Sequence, residues 1–416
     1  MRKRLGAKLL SLIILLLLVL PLEGCWNRIE PEEYAWLNYV GLDLSADGQV
    51  KVTVLVMPPL SPVPTGISEP NMLMRKFTAT GRTVFEAVRN INAYVPKRLF
   101  WSYLQAVIIG EDLARAGVVQ HLDVLLRNAR IRKNAWVFVT KGPVEPVFDI
   151  NPQVEKNPAT LLDYLVLTES KFLGKSRTLR LKDFQRELAE PGVDPVVSVL
   201  GIWDAERQRF LPAGESVPST SEFALEGSAV FRGDKLLTWL SPEDSRFLLL
   251  AKGELKSSLF VIPDPDVPEN RVGIEIIGTK GKLKARLQDG KIEGTLKIGI
   301  TGNFGDQWLN NTSIPTEVLS EDPRYYRELE ASLAEKVKTG TEALLRKAQQ
   351  DWQADIFGIG DYLHNRYPND WKELQSNWTA YYEQARIAVD VQVKILAPNV
   401  MRSRLKEGGT DNSGSE

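Results

Sequence analysis

The chain has 416 residues, with 52 Lys or Arg against 53 Asp or Glu, two His, a formal net charge of −1 and 43% hydrophobic residues. That balance excludes a disordered chain and carries no basic footprint for nucleic acid, so no nucleic-acid partner is expected. The length suits two or three domains, and a single Cys rules out an intramolecular disulfide, leaving packing to supply the stability.

Residues 1–24 read as a targeting segment. Arg2, Lys3, Arg4 and Lys8 make a basic start, Leu9 to Leu20 is an apolar run, and Leu22-Glu23-Gly24-Cys25 follows at once. At about 1.5 Å per residue the run is too short to cross a hydrocarbon core of about 30 Å. The only Cys of the chain falls directly after it, in a setting that resembles the lipobox of bacterial lipoproteins, with Glu23 where a small residue is usual. The resemblance implies that Cys25 carries a diacylglyceryl group and becomes the first residue of the mature chain. Two acyl chains suffice for stable anchoring. The mature chain, Cys25 to Glu416, has 48 basic and 52 acidic residues, a net charge of −4.

Trp36 to Leu44 and Gln49 to Met57 are two β-rich runs around Asp47-Gly48, a hairpin signal. Val50, Val52, Val54 and Val56 share one face of the second run, which predicts a half-buried strand. Pro58 to Pro70, with five prolines, predicts an exposed loop. Gly81-Arg82-Thr83 opens a helix with Val84, Ala87, Val88 and Ile91 on one side. A buried strand is expected over 102–109, a helix over 111–129 and a strand over 135–140. Short helices follow at 159–168 and 181–188, then a strand at 195–202. Strands alternating with helices make an α/β domain over 25–210.

Residues 211–222, rich in Pro, Gly, Ser and Thr, read as a linker, and 223–270 as a small middle domain of hairpin, helix and strand. Ser241-Pro242 is the helix start, and Arg232-Gly233-Asp234 is a turn between strands. From 271 to 400 the pattern is an antiparallel meander with strands around 272–276, 283–287 and 292–300. Turns are expected at Thr279-Lys280-Gly281 and Asp289-Gly290. A helix over 322–352 carries Tyr326, Leu329, Leu333, Val337, Leu344, Ala348 and Trp352 on one side and lies across the sheet, with Gly340 as a bend. Arg386 to Leu396 is the last strand and 401–416 a flexible tail. The fold class is α+β, three mixed α/β domains, the last an antiparallel sheet covered by a long helix.

Catalytic signatures are missing. His121 and His364 fall in separate helices, and no zinc-ligand spacing or G-x-S-x-G occurs, so no catalytic, metal or cofactor residues are assigned. Gly174-Lys175-Ser176 ends like a phosphate-binding loop, but Glu169 stands where its first glycine belongs. Gly358-Ile359-Gly360 lacks its third glycine, since position 363 is Leu. Two basic stretches, Arg127 to Lys133 and Lys171 to Arg186, read as solvated faces, with anionic headgroups as the competing partner.

Four stretches taken in order carry a family resemblance: Cys25-Trp26-Asn27-Arg28, residues 80–118 (TGRTVFEAVRNINAYVPKRLFWSYLQAVIIGEDLARAGV), 226–240 (EGSAVFRGDKLLTWL) and 354–378 (ADIFGIGDYLHNRYPNDWKELQSNW). Together they resemble the Ger(x)C family, the C subunits of nutrient germinant receptors of bacterial endospores. The resemblance implies a lipoprotein on the outer face of the spore inner membrane, working with membrane-embedded A and B subunits. It implies three mixed α/β domains and no catalytic residue. Cys25, the lipid attachment site, is the one functional position that carries over; no direct small-molecule ligand or cofactor is expected.

The sequence thus reads as a lipid-anchored receptor subunit, not an enzyme, acting in germination through protein contacts. A surface solute-binding lipoprotein beside a transporter is the alternative, and would need a ligand cleft between two comparable lobes. An extracytoplasmic hydrolase would need a Ser or carboxylate site in a deep cleft.

Overall fold

In a computed structural model of the chain, residues 30–57, 74–150, 152, 155, 158–308 and 323–396 are described. The expected signal peptide, Cys25, the Pro58 to Pro70 loop and the tail from 401 lie outside them.

Strands β1 (Tyr34–Leu44) and β2 (Val50–Met57) form the hairpin expected at Asp47-Gly48. β2 is covered on both faces rather than one. Its valines pack under α1 (Val84–Asn92), while Leu55 joins the core on the far side and Thr53 is fully enclosed. A third strand, β3 (Arg75–Gly81), pairs with β2. Its sequence, RKFTATG, has no apolar run to announce it. Helix α1 begins where expected, because Thr83 accepts the Glu86 N–H at 3.1 Å and Glu86 accepts the Arg82 N–H at 2.8 Å.

The strand expected over 102–109 is shorter. Trp101 to Tyr103 is a 3-10 turn between β4 (Arg98–Phe100) and β5 (Ala106–Ile109). The helix expected over 111–129 is two, α2 (Glu111–Ala116) and α3 (Val119–Arg127), divided at Gly117, whose φ of +126° ends the first. Strand β6 (Trp136–Val139), helix α4 (Pro158–Thr168), β7 (Leu179–Arg180), α5 (Leu181–Ala189), β8 (Val196–Asp204) and β9 (Arg209–Phe210) complete this region. β1, β5, β6 and β8 run parallel, which is why 106–109 and 136–139 are unbroken apolar runs buried on both faces.

Residues 223–270 do not form a layer of their own. Strand β10 (Ser221–Arg232) pairs antiparallel with β8, and β11 (Lys235–Leu240) pairs with β10, so the hairpin extends the first sheet to eleven strands. The strand opens at Ser221, inside the expected linker. Helix α6 (Pro242–Lys252) and strand β12 (Ser258–Pro263) belong to the second sheet instead.

The second sheet has order β12-β13-β14-β15, with β13 (Arg271–Gln288), β14 (Lys291–Trp308) and β15 (Arg386–Leu396). Thr279-Lys280-Gly281 is not a turn: one 18-residue strand runs through it, in register with β14. The turn at Asp289-Gly290 forms as expected, both residues taking positive φ. The last pair, β14 with β15, is parallel, so the sheet is antiparallel only as far as β14. A parallel pair needs a long crossover. Helices α7 (Pro323–Arg346), α8 (Ile359–Arg366), α9 (Pro368–Leu374) and α10 (Trp378–Gln384) supply it and cover the inner face. α7 buries Leu329, Leu333, Val337 and Leu344 as expected, with Tyr325 enclosed in place of Tyr326. Full burial of one such leucine contributes about 1.5–3 kcal/mol. α7 stays helical through Gly340, whose bare Cα receives the Phe247 ring.

Candidate functional site

The segment from Ala354 to Gly360 folds around its own carboxylate. Asp355 accepts N–H bonds from Gly358 at 2.8 Å, Ile359 at 3.0 Å and Gly360 at 2.8 Å, the donors that begin α8. The turn therefore brings its own anion. It docks on the first sheet through Asp194, which accepts the Asp355 N–H at 2.7 Å and the Gly233 N–H of the β10–β11 turn at 2.7 Å. Two backbone bonds complete the clasp: Asp194 N–H to Asp355 O and Asp361 N–H to Gly192 O, both 2.9 Å. At this crossing Gly192 and Gly360 touch. A Cβ on Gly192 would stand 2.5 Å from the Gly360 carbonyl carbon, so neither position has room for a side chain.

A second connection lies beside it. Arg177, within one of the stretches expected to be solvated, is enclosed between the two sheets. Its guanidinium donates to Glu187 at 2.8 Å and to Glu254 at 2.8 and 3.0 Å, and reaches the Val196 carbonyl at 3.3 Å. Burial opposes its charge, but the two carboxylates outweigh that and hold its pKa above the ordinary value. Burial likewise pushes Glu254 up, and Arg177 brings it below the usual carboxylate range. Around this pair Ser176 Oγ donates to Gly227 O at 2.6 Å, Arg177 N–H to Ser228 Oγ at 3.0 Å, and Ser245 Oγ meets Ser228 Oγ at 3.0 Å. Lys252 Nζ donates to the Ile356 carbonyl at 3.2 Å, and burial followed by the Arg177 charge lowers its pKa.

These groups spend their bonds on one another, so the arrangement couples the two sheets. Gly174-Lys175-Ser176 follows the same logic. Gly174 closes a wide turn at φ +59°, and the Lys175 amide donates to Glu169, the residue that stands in place of the loop's first glycine. His121 and His364 are not brought together: one lies on α3 over the first sheet, and the other on α8 against Trp371, ring centroids 5.7 Å apart. Cys25 lies outside the described residues. Among those residues no helix is long and apolar enough to cross a membrane.

Asp355 also sets a pH dependence. Burial pushes it up to about 7, the Asp194 charge adding to this while the N–H bonds from Gly360 and Ile359 and the Lys252 charge oppose it. Burial pushes Asp43 up to about 6. A carboxyl whose folded pKa is raised binds protons more tightly folded than unfolded. Its stabilisation is complete below about pH 4 and is lost as pH rises through the folded value. The melting temperature should therefore fall from pH 5 to pH 8, and Asp355→Asn should flatten that slope. An unchanged slope in the variant, measured by thermal unfolding at both pH values, would contradict the assignment.

The comparisons agree with this architecture. The description "Spore germination protein N-terminal domain" matches residues 27–202, and "Spore germination B3/ GerAC like, C-terminal" matches 226–398. The chain belongs to the Ger(x)C family. Ger(x)C relatives in Bacillus subtilis (strain 168) include the putative spore germination protein YfkR, 24% identical over 91% of this chain and 93% of that protein. Spore germination protein KC is 22% identical over 93% and 94%, and spore germination protein B3 is 21% identical over 92% and 96%. The crystal structure of the GerBC protein has the same fold, with a TM-score of 0.53 at 16% identity over 86% of this chain and 96% of that one. Within this Ger(x)C chain, the stretch 226–240 forms the β10–β11 hairpin and 354–378 forms the clasp, so both segments serve the joint between the sheets.

Proposed function

We propose that the protein is the lipid-anchored C subunit of a nutrient germinant receptor, held by Cys25 on the outer face of the spore inner membrane and required for nutrient-triggered germination. Its full-length similarity to relatives named for spore germination carries this reading. It contributes by binding the receptor's A and B subunits, not by catalysis. Anchoring confines it to the membrane plane, which raises its effective concentration for those partners without any new contact. The buried joint supports a part in assembly, because its hydrogen bonds hold the two sheets to each other. The units that offer surfaces to these partners are the first sheet, which runs to Leu240, and the second-sheet unit, which begins with α6 at Pro242. The test is genetic: spores lacking the protein should lose germination in response to the receptor's nutrient and regain it on complementation. An unchanged response to every nutrient would contradict the proposal.

A further inference from the structure

The described chain begins at Glu30, five residues after Cys25, and enters the first sheet at Tyr34. Five residues span at most about 18 Å when fully extended. If Cys25 is acylated, as proposed above, Glu30 is held within that distance of the headgroups, and Tyr34, nine residues from Cys25, within at most about 32 Å of them. The parallel strands bring the starts of β5 and β6 to the same end, and the antiparallel ones bring the end of β2 and the start of β3.

This end is basic. Arg75, Lys97, Arg98, Arg130 and Arg132 line it, and among the described residues none has a carboxylate within ion-pair distance. The pieces are tied together: Tyr34 pairs with Arg98 across β1 and β4, and Ser102 Oγ donates to the Arg130 carbonyl at 2.8 Å. Glu30, Glu32 and Glu33 share this end, and Asp149 and Asp163 reach it paired with Lys76 and Arg180, which leaves the five cations in excess of the three glutamates. Half-buried rings stand among them, with Tyr34 against Phe100 at 5.0 Å and Trp36 against Tyr103 at 5.1 Å. Aromatic side chains with one polar end suit the headgroup level, and cations beside them suit anionic lipid.

We infer that this end of the first sheet is a membrane-contact surface that rests on anionic lipid headgroups, so that the parallel strands rise away from the bilayer. The inference depends on the lipoprotein reading for its biological setting but not for its test. The mature chain carrying Cys25→Ala is incubated with phosphatidylcholine vesicles, with and without phosphatidylglycerol, and sedimented. Binding is expected only to the anionic vesicles and should weaken with salt. Lys97→Gln, Arg98→Gln, Arg130→Gln and Arg132→Gln together should lower partitioning at least tenfold, since each cation near an anionic surface contributes roughly fivefold. All four are surface positions, so circular dichroism should be unchanged. A control triple, Lys280→Gln, Lys282→Gln and Lys284→Gln, removes exposed cations of the second sheet and should leave binding within about twofold if that sheet stands outside the screening distance of the lipid. Loss of binding in the triple but not the quadruple variant would place the contact on the second sheet and overturn the inference. So would equal binding to neutral vesicles. Failure of acylation at Cys25 would appear in the mass of the native protein and would leave these results untouched.

Discussion

Replacing Arg177 by Ala should destabilise the protein by about 3–5 kcal/mol, because it leaves the buried Glu187 facing a second carboxylate with no cation between them. The size of the effect follows from burial. Side chains of Arg177 and Glu187 are 5% and 7% exposed, whereas the i,i+4 pair of Arg127 with Asp123 is 81% and 51% exposed. Arg127→Ala should therefore change stability by less than about 1 kcal/mol. A buried pair is costly to break but not costly to replace, so Arg177→Met combined with Glu187→Leu should recover most of the loss. Urea unfolding of the purified chain decides this. If Arg177→Ala matched Arg127→Ala, the guanidinium would not be the link between the two sheets that the geometry makes it.

Cys25→Ala should abolish nutrient-triggered germination while leaving the folded protein intact. The core clusters of the described residues are built from Ala35 onward, so the substitution is expected to remove the proposed anchor and leave those cores as they are. On the anchoring proposal, the mature protein without acyl chains keeps only weak, reversible attachment. The variant should leave the membrane fraction, and spores carrying it should resemble spores without the protein. Normal germination with the variant recovered in the soluble fraction would contradict the anchoring proposal.

Much of the fold was legible in the sequence because its signals are local. Thr83 and Ser241 cap helices at the predicted residues, and alternation along β15 fixes which face meets α7. The misreadings have tertiary causes. Gly281 reads as a turn in isolation, but β13 stays extended there because β14 pairs with it on one side and the α6 backbone at Ala251 and Gly253 presses against it. The hairpin at 221–240 looks independent until β8 supplies its partner edge, and nothing local in either strand states that pairing. Arg177 lies in a run of basic residues whose spacing suits an exposed face. Its burial depends on Glu254, 77 residues away, which no periodicity connects to it. The clasp was not read from the sequence: Gly358-Ile359-Gly360 stood there only as an incomplete glycine motif, whereas Asp355 ahead of it is the acceptor for both glycine amides. What the sequence could not reveal was that Gly192 closes the other side.

The central claim, that the protein works as an anchored receptor subunit through contacts with membrane partners, is tested most directly by a detergent pull-down from native membranes with this protein as bait and Cys25→Ala as control. Two polytopic partners, one of them transporter-like, recovered with the lipidated bait and lost with the control, are the expected result. Recovery of an ATP-driven permease instead, or of no polytopic partner, would contradict it and turn attention to a solute-binding role.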